Sequence, residues 1–150
     1  IRRGYPLSVF ETAVRNLRER GIEVIVHTIL GLPGESQEDI LATMKYLNHR
    51  DIQGIKLQLL HVLKDTDLAQ EYLEGKFHVY EREEYLNLVI RCLENLDPEI
   101  VIHRMTGDGP EKLLLAPLWT GRKREVLNLL HHQMKVCDSW QGKQFHSLPE

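Results

Sequence analysis

The sequence predicts an α/β fold whose strands run parallel and are joined by helical crossovers. Three observations predict it. Helix-period and strand-like segments alternate from Ser8 to Leu60 with short connections. The first strand-like segment, Ile22 to Leu30, is a β-branched run with little alternation, as expected of a strand buried on both faces. Turn residues stand at the junctions: Gly21, then Gly31-Leu32-Pro33-Gly34, then Gly54.

Ser8 and Glu11 have the spacing of a capping box, and Val9, Phe10, Ala13, Val14 and Leu17 then repeat at helical spacing until Gly21. Ser36 and Asp39 make a second cap, opening a helix with Ile40, Leu41, Met44 and Leu47 on one face. A strand follows from Ile55 to Leu60. Alternation there puts Lys56 and Gln58 opposite Leu57 and Leu59. Asp65 to Glu74 reads as a short helix closed by Gly75. Tyr80 to Leu96 reads as a longer one, striped by Tyr85, Leu88, Val89, Cys92, Leu93 and Leu96. Pro98 ends it, and Ile100 to Met105 reads as a third strand. Thr120 caps an expected last helix through Lys135, and the tail from Asp138 has few apolar residues and is expected to be irregular.

The length of 150 residues suits one domain. A net charge of -3 argues against nucleic-acid binding by bulk charge, although Lys112, Arg122, Lys123, Arg124, Lys135 and Lys143 bias the last part towards basic. Two cysteines, Cys92 and Cys137, lie far apart without metal-site spacing and fit a reducing, cytoplasmic compartment. No apolar run approaches the ~20 residues that span a bilayer, so no membrane partner is expected. The chain opens on Ile1-Arg2-Arg3-Gly4 without methionine. Three parallel strands also leave an edge to be paired. The expectation is further strands before Ile1, and self-association of the isolated chain through that edge.

In such folds ligands bind at the carboxyl ends of the strands. Three loops qualify: Gly31 to Glu35, His61 to Lys64 and Thr106 to Gly109. The glycines of the first allow close approach of a ligand to the backbone, or serve an ordinary strand-to-helix turn. Glu35 and Ser36 stand where free helix amides could receive an anion. His27 reads as a strand residue lining a core or barrel. His61, His103 and Asp108 could alternatively form a facial metal set, the basis of a rival reading as a metal-dependent barrel hydrolase or lyase. Asp108 between glycines could equally form a turn. Lys56 and Gln58 would be costly inside a barrel unless they bind something. A second rival is a non-enzymatic adaptor or RNA-binding module.

Gly31-Leu32-Pro33-Gly34-Glu35 after an apolar strand resembles the second half of the radical S-adenosylmethionine (SAM) partial barrel, as in anaerobic coproporphyrinogen oxidases and Elp3-like enzymes. Four further stretches are similar to the YtqA/YhcC-type radical SAM family: Arg3-Gly4-Tyr5, Gly54 to Lys64, Ile102 to Asp108, and Leu114 to Trp119. The resemblance implies the C-terminal part of a partial TIM-like (β/α)6 barrel with an α-rich extension. Residues 1–64 would be barrel, 65–137 the extension packed on it, and 138–150 the tail. It implies a [4Fe–4S] cluster and SAM in the full-length protein, reductive cleavage of SAM to a 5′-deoxyadenosyl radical, and hydrogen abstraction from substrate. A YtqA-like role would be tRNA wobble-uridine modification, turning a carboxymethylaminomethyl group into an aminomethyl one.

Carried onto this sequence, the resemblance places cofactor contacts at His27, Ile29, Gly31, Pro33, Gly34, Gln58, His61, Val62 and Leu63. Glycine is frequent in the family where His27 stands. Substrate contacts are expected at Lys56, His103, Arg104 and Asp108. No three-cysteine motif is present, so the chain alone is expected to hold no cluster and to be inactive.

Overall fold

The computed structural model describes residues 4–107 and 109–146. The elements are α1 (Leu7–Arg18), β1 (Ile25–Leu30), α2 (Gln37–Asn48), β2 (Gly54–Leu59), β3 (Val62–Leu63), α3 (Asp67–Leu73), α4 (Arg82–Asn95), β4 (Val101–Arg104), β5 (Leu114–Ala116) and α5 (Lys123–Val136). A short 3₁₀ helix, Leu118–Arg122, leads into α5.

β1, β2 and β4 form a three-stranded sheet in that order, parallel throughout, which bears out the expected α/β architecture. Helices cover one face. From α2 come Ile40, Leu41, Met44 and Leu47, and from α4 Leu88, Val89, Cys92 and Leu93. They pack on Leu30, Ile55, Leu57 and Leu59 in one core cluster. Met44, Ile55 and Leu57 are 0% exposed, each burial being worth about 1.5–3 kcal/mol.

The other face of the sheet is open. Ile25 and Ile29 are 41% and 36% exposed, so β1 is buried on one face only, against the expectation from its sequence. A run rich in β-branched residues reports strand preference; what covers each face is decided elsewhere.

Two expected caps are also corrected. Pro6, extended at φ -75°, precedes α1, so Ser8 lies inside the first turn and caps nothing. Glu11 instead accepts from the Tyr46 hydroxyl at 2.9 Å and Arg50 Nη2 at 2.7 Å. The Thr120 hydroxyl donates to the Pro117 carbonyl at 2.9 Å within the 3₁₀ turn, and α5 starts behind Arg122. By contrast Ser36 and Asp39 make the expected capping box on α2.

β3 and β5 pair antiparallel just beyond the carboxyl end of β2, with Val62 opposite Ala116 and Leu63 opposite Leu114. Val62 and Ala116 join a second cluster with Ala69 and Val79. After α5 the chain returns to the end of α4. Gly142 N–H donates to Leu93 O at 3.0 Å and Gln144 N–H to Glu94 O at 2.7 Å. These carbonyls lie in the last turn, where a helix runs out of N–H groups of its own, and Leu93 O also accepts from the Leu96 N–H at 3.2 Å.

Candidate functional site

On the open sheet face polar side chains of neighbouring strands gather. Parallel pairing sets His27 of β1 directly beside Lys56 of β2, and Lys56 directly beside Arg104 of β4. The register shifts between Ile55–Ile102 and Lys56–Arg104. This irregularity gives β4 one extra residue, so His103 and Arg104 both reach the open side instead of alternating. The His103 ring lies over Gly54, its Cδ2 2.6 Å from where a Cβ would stand.

One row towards the carboxyl ends, Gln58 lies beside Ile29. His27 Nε2 is 2.8 Å from Gln58 Oε1, and Arg104 Nη1 is 3.5 Å from the same oxygen. A guanidinium only donates, so the atom facing it is the amide oxygen. That makes His27 Nε2 the donor in its own bond. Above Gln58 the loop after β4 folds down: a Cβ on Gly107 would stand 2.6 Å from His61 Cε1 and 2.9 Å from Gln58 Cγ. Gly109 lies against the same His61 ring.

The turn after β1 is held from the helix side. Gly31 has φ 84° and Gly34 φ 80°. The space a Gly31 side chain would need is filled by the Tyr80 ring at 2.9 Å, so close approach at Gly31 serves internal packing. Tyr80 was not legible as a site neighbour, because nothing in its sequence surroundings points to a residue so far along the chain. Its carbonyl accepts from Trp119 Nε1 at 3.2 Å. Half-buried Glu35 accepts the Leu32 N–H at 3.3 Å. Burial, the larger effect, still pushes its carboxyl above the ordinary range. Burial and then the Glu35 charge push the Tyr80 phenol up.

The structure thus brings His27, Ile29, Lys56, Gln58, His103 and Arg104 onto one face, with His61 at its carboxyl end. Pro33 and Gly34 are exposed in the turn. Val62 is 0% exposed within the second cluster, and Leu63 is half-buried beside it. Asp108 lies outside the described residues, as do Arg3 and residues 147–150. Two members of the rival metal set stand apart: His103 sits over the start of β2 and His61 beyond its end. The His61 ring lies back beside Gln58, four residues along β2 from Gly54, a separation of roughly 13 Å at ~3.3 Å per residue. Among the described residues no group of three His, Cys, Asp or Glu side chains is placed to hold a metal ion.

A [4Fe–4S] cluster finds no fit here. Cys92 is buried in α4 with its thiol pushed up to about 12 by burial, while Cys137 is exposed at the end of α5. At the carboxyl end of β1 the Ile29 side chain is exposed, and nothing lies within 4 Å of where a Gly34 side chain would stand.

The Radical_SAM C-terminal domain family matches residues 52–136. The chain belongs to that family. Protein YtqA of Bacillus subtilis is 39% identical over 150 residues, all of this chain and 47% of YtqA. The tRNA uridine(34) acetyltransferase of Dehalococcoides mccartyi is 29% identical over 140 residues, 91% of this chain and 30% of that protein. The fold matches Elp3 of Methanocaldococcus infernus with a TM-score of 0.80 at 20% identity, over 93% of this chain and 33% of Elp3. The radical SAM resemblance and the α/β fold class are therefore borne out. The chain spans about half the length of YtqA, 47%, and less of the others. Among the described residues no helix is long and apolar enough to cross a membrane.

Proposed function

We propose that this chain is the C-terminal portion of a radical SAM enzyme acting on tRNA at the wobble uridine, its open sheet face forming the wall against which cofactor and substrate meet. The observation that carries the reading is that face: helices pack on one side of a parallel sheet, and the other side presents His27, Lys56, Gln58, His103 and Arg104. Such polar side chains are costly on a closed barrel interior unless a ligand uses them. Family membership supplies the chemistry, and likeness to a tRNA uridine(34) acetyltransferase supports the substrate.

In this reading Ile29 and the Gly31–Gly34 turn support the adenine, and Gln58 and His27 orient its polar neighbours. The backbone of His61 to Leu63 lines the far side, and Lys56, His103, Arg104 and Asp108 meet the substrate. Bound SAM supplies a hydrogen-abstracting radical upon one-electron reduction. The cluster ligands come from outside this chain, since Cys92 and Cys137 cannot provide them.

The test uses the whole protein purified without oxygen. Iron and sulfide content is measured after reconstitution, with 5′-deoxyadenosine release from SAM under reduction and then modification of tRNA lacking its wobble side chain's final form. Deoxyadenosine release that rises with such tRNA supports the reading. A reconstituted protein with neither iron nor deoxyadenosine release sinks it.

A further inference from the structure

We infer that the open sheet face receives an anionic group of the substrate, a carboxylate or a phosphate, between Lys56 and Arg104. The inference deepens the reading above and rests on it for the word substrate; the anion site itself stands on geometry.

His27, Lys56 and Arg104 form one cross-strand row, each directly beside the next in the register. Lys56 and Arg104 are both half-buried on adjacent strands. Like charges directly opposite in a sheet are destabilising, and a counter-charge is the usual remedy for burying them. The sheet supplies none. No residue of β1, β2 or β4 is Asp or Glu. Among the described residues no carboxylate pairs with Lys56 or Arg104, whereas Arg18, Arg50, Arg82 and Arg91 all have carboxylate partners.

Hydrogen-bond capacity points the same way. The acceptor of Gln58 is already used, since its Oε1 faces both His27 Nε2 and Arg104 Nη1. What Gln58 has left to offer is its NH₂ group, two donors. Arg104 brings its remaining guanidinium N–H groups beside it, and Lys56, two residues back along β2 and beside Arg104 in the register, adds an ammonium to the same face. The extra residue in β4 adds the His103 ring to the same side. A face rich in donors, with its acceptor occupied, complements an oxyanion. A guanidinium beside an ammonium binds carboxylate and phosphate through charge-assisted hydrogen bonds.

The experiment titrates the protein with sodium acetate, sodium phosphate and neutral acetamide at matched ionic strength. NMR follows the Arg104 Nε–H and the His27 and His103 rings. A saturable shift with acetate or phosphate, absent with acetamide, is expected, and the tighter of the two identifies the source of the anion. Lys56→Gln and Arg104→Gln should each weaken it by about tenfold or more, the order of a charge-assisted hydrogen bond. Arg104→Lys should recover part of the loss. Lys45→Gln on the exposed side of α2 should change nothing, and thermal melts establish that each variant folds. Absence of a saturable shift for both anions overturns the inference, as does a shift that survives in the Lys56→Gln, Arg104→Gln double variant. Anion binding in a protein that never cleaves SAM would sink the proposed reaction and leave this site standing. SAM cleavage without anion binding would do the reverse.

Discussion

His27 and Arg104, on the two outer strands, both reach a single atom of the strand between them, Gln58 Oε1, at 2.8 and 3.5 Å. The pair therefore depends on the Gln58 amide being held oxygen-inward, and that orientation fixes which nitrogen of His27 carries a proton.

Gln58→Leu tests the link. Loss of the acceptor should leave His27 in a mixture of tautomers, where the native protein holds the proton on Nε2. Nitrogen-detected NMR of the imidazole reads this directly. The stability cost should be about 0.5–1.5 kcal/mol, the net worth of a neutral hydrogen bond. An unchanged tautomer would mean that His27 is oriented by something other than Gln58.

Gly31→Ala should be the most damaging small substitution in the turn after β1. A φ of 84° disfavours any side chain, and the added carbon would stand 2.9 Å from the Tyr80 ring. The backbone part alone should cost about 1–3 kcal/mol. Adding Tyr80→Leu should recover the steric part and leave the backbone part, a separation that a double-mutant cycle in urea can read. Equal costs in both backgrounds would show that the ring moves aside freely.

How far the sequence could be read follows from which features are periodic. The stripes of α2 and α4 and the parallel order of β1, β2 and β4 were legible, because each rests on a repeating pattern or a capped junction. β3 and β5 were not: strands of two and three residues carry no period. The start of α1 was misplaced because Ser8 and Glu11 satisfy the box pattern equally well, and the proline before them decided the matter. At the site, Lys56 and Gln58 were legible as face partners by alternation. The irregularity that turns His103 and Arg104 to one side breaks alternation and could only be seen in the register. Tyr80 against Gly31 is a contact between distant segments, which no local pattern encodes.

The pH dependence of stability should carry a signature of Glu35. Burial raises its carboxyl above the ordinary 4.5, so the folded protein holds that proton more tightly than the unfolded chain. The contribution of Glu35 to stability therefore falls as pH rises from 4.5 through its folded value. Glu35→Gln keeps an oxygen for the Leu32 N–H and removes the charge. It should be more stable than the native protein at neutral pH, with the advantage vanishing on acidification below that window. An advantage that grew on acidification would reverse the sign and refute the burial argument.

The exposed edge of β1 predicts how the isolated chain behaves in solution. In the sheet order β1-β2-β4, β1 has β2 on one side and, among the described residues, no strand on the other. Its outer N–H and C=O groups form a template for another strand. The exposure of Ile25, 41%, and Ile29, 36%, adds apolar surface beside that edge. Both features favour self-association, which sedimentation velocity across a concentration series should detect. Ile25→Lys places a charge at the start of the strand, well away from Gln58. Because Ile25 is exposed, the substitution should change folding stability by no more than about 0.5 kcal/mol. It should also shift the chain towards monomer, as edge lysines do in natural sheets. A native chain that stays monomeric across the series would mean that the edge is protected some other way. Association unaffected by Ile25→Lys would point to another surface, with the exposed Leu7 and Val9 of α1 the next to examine.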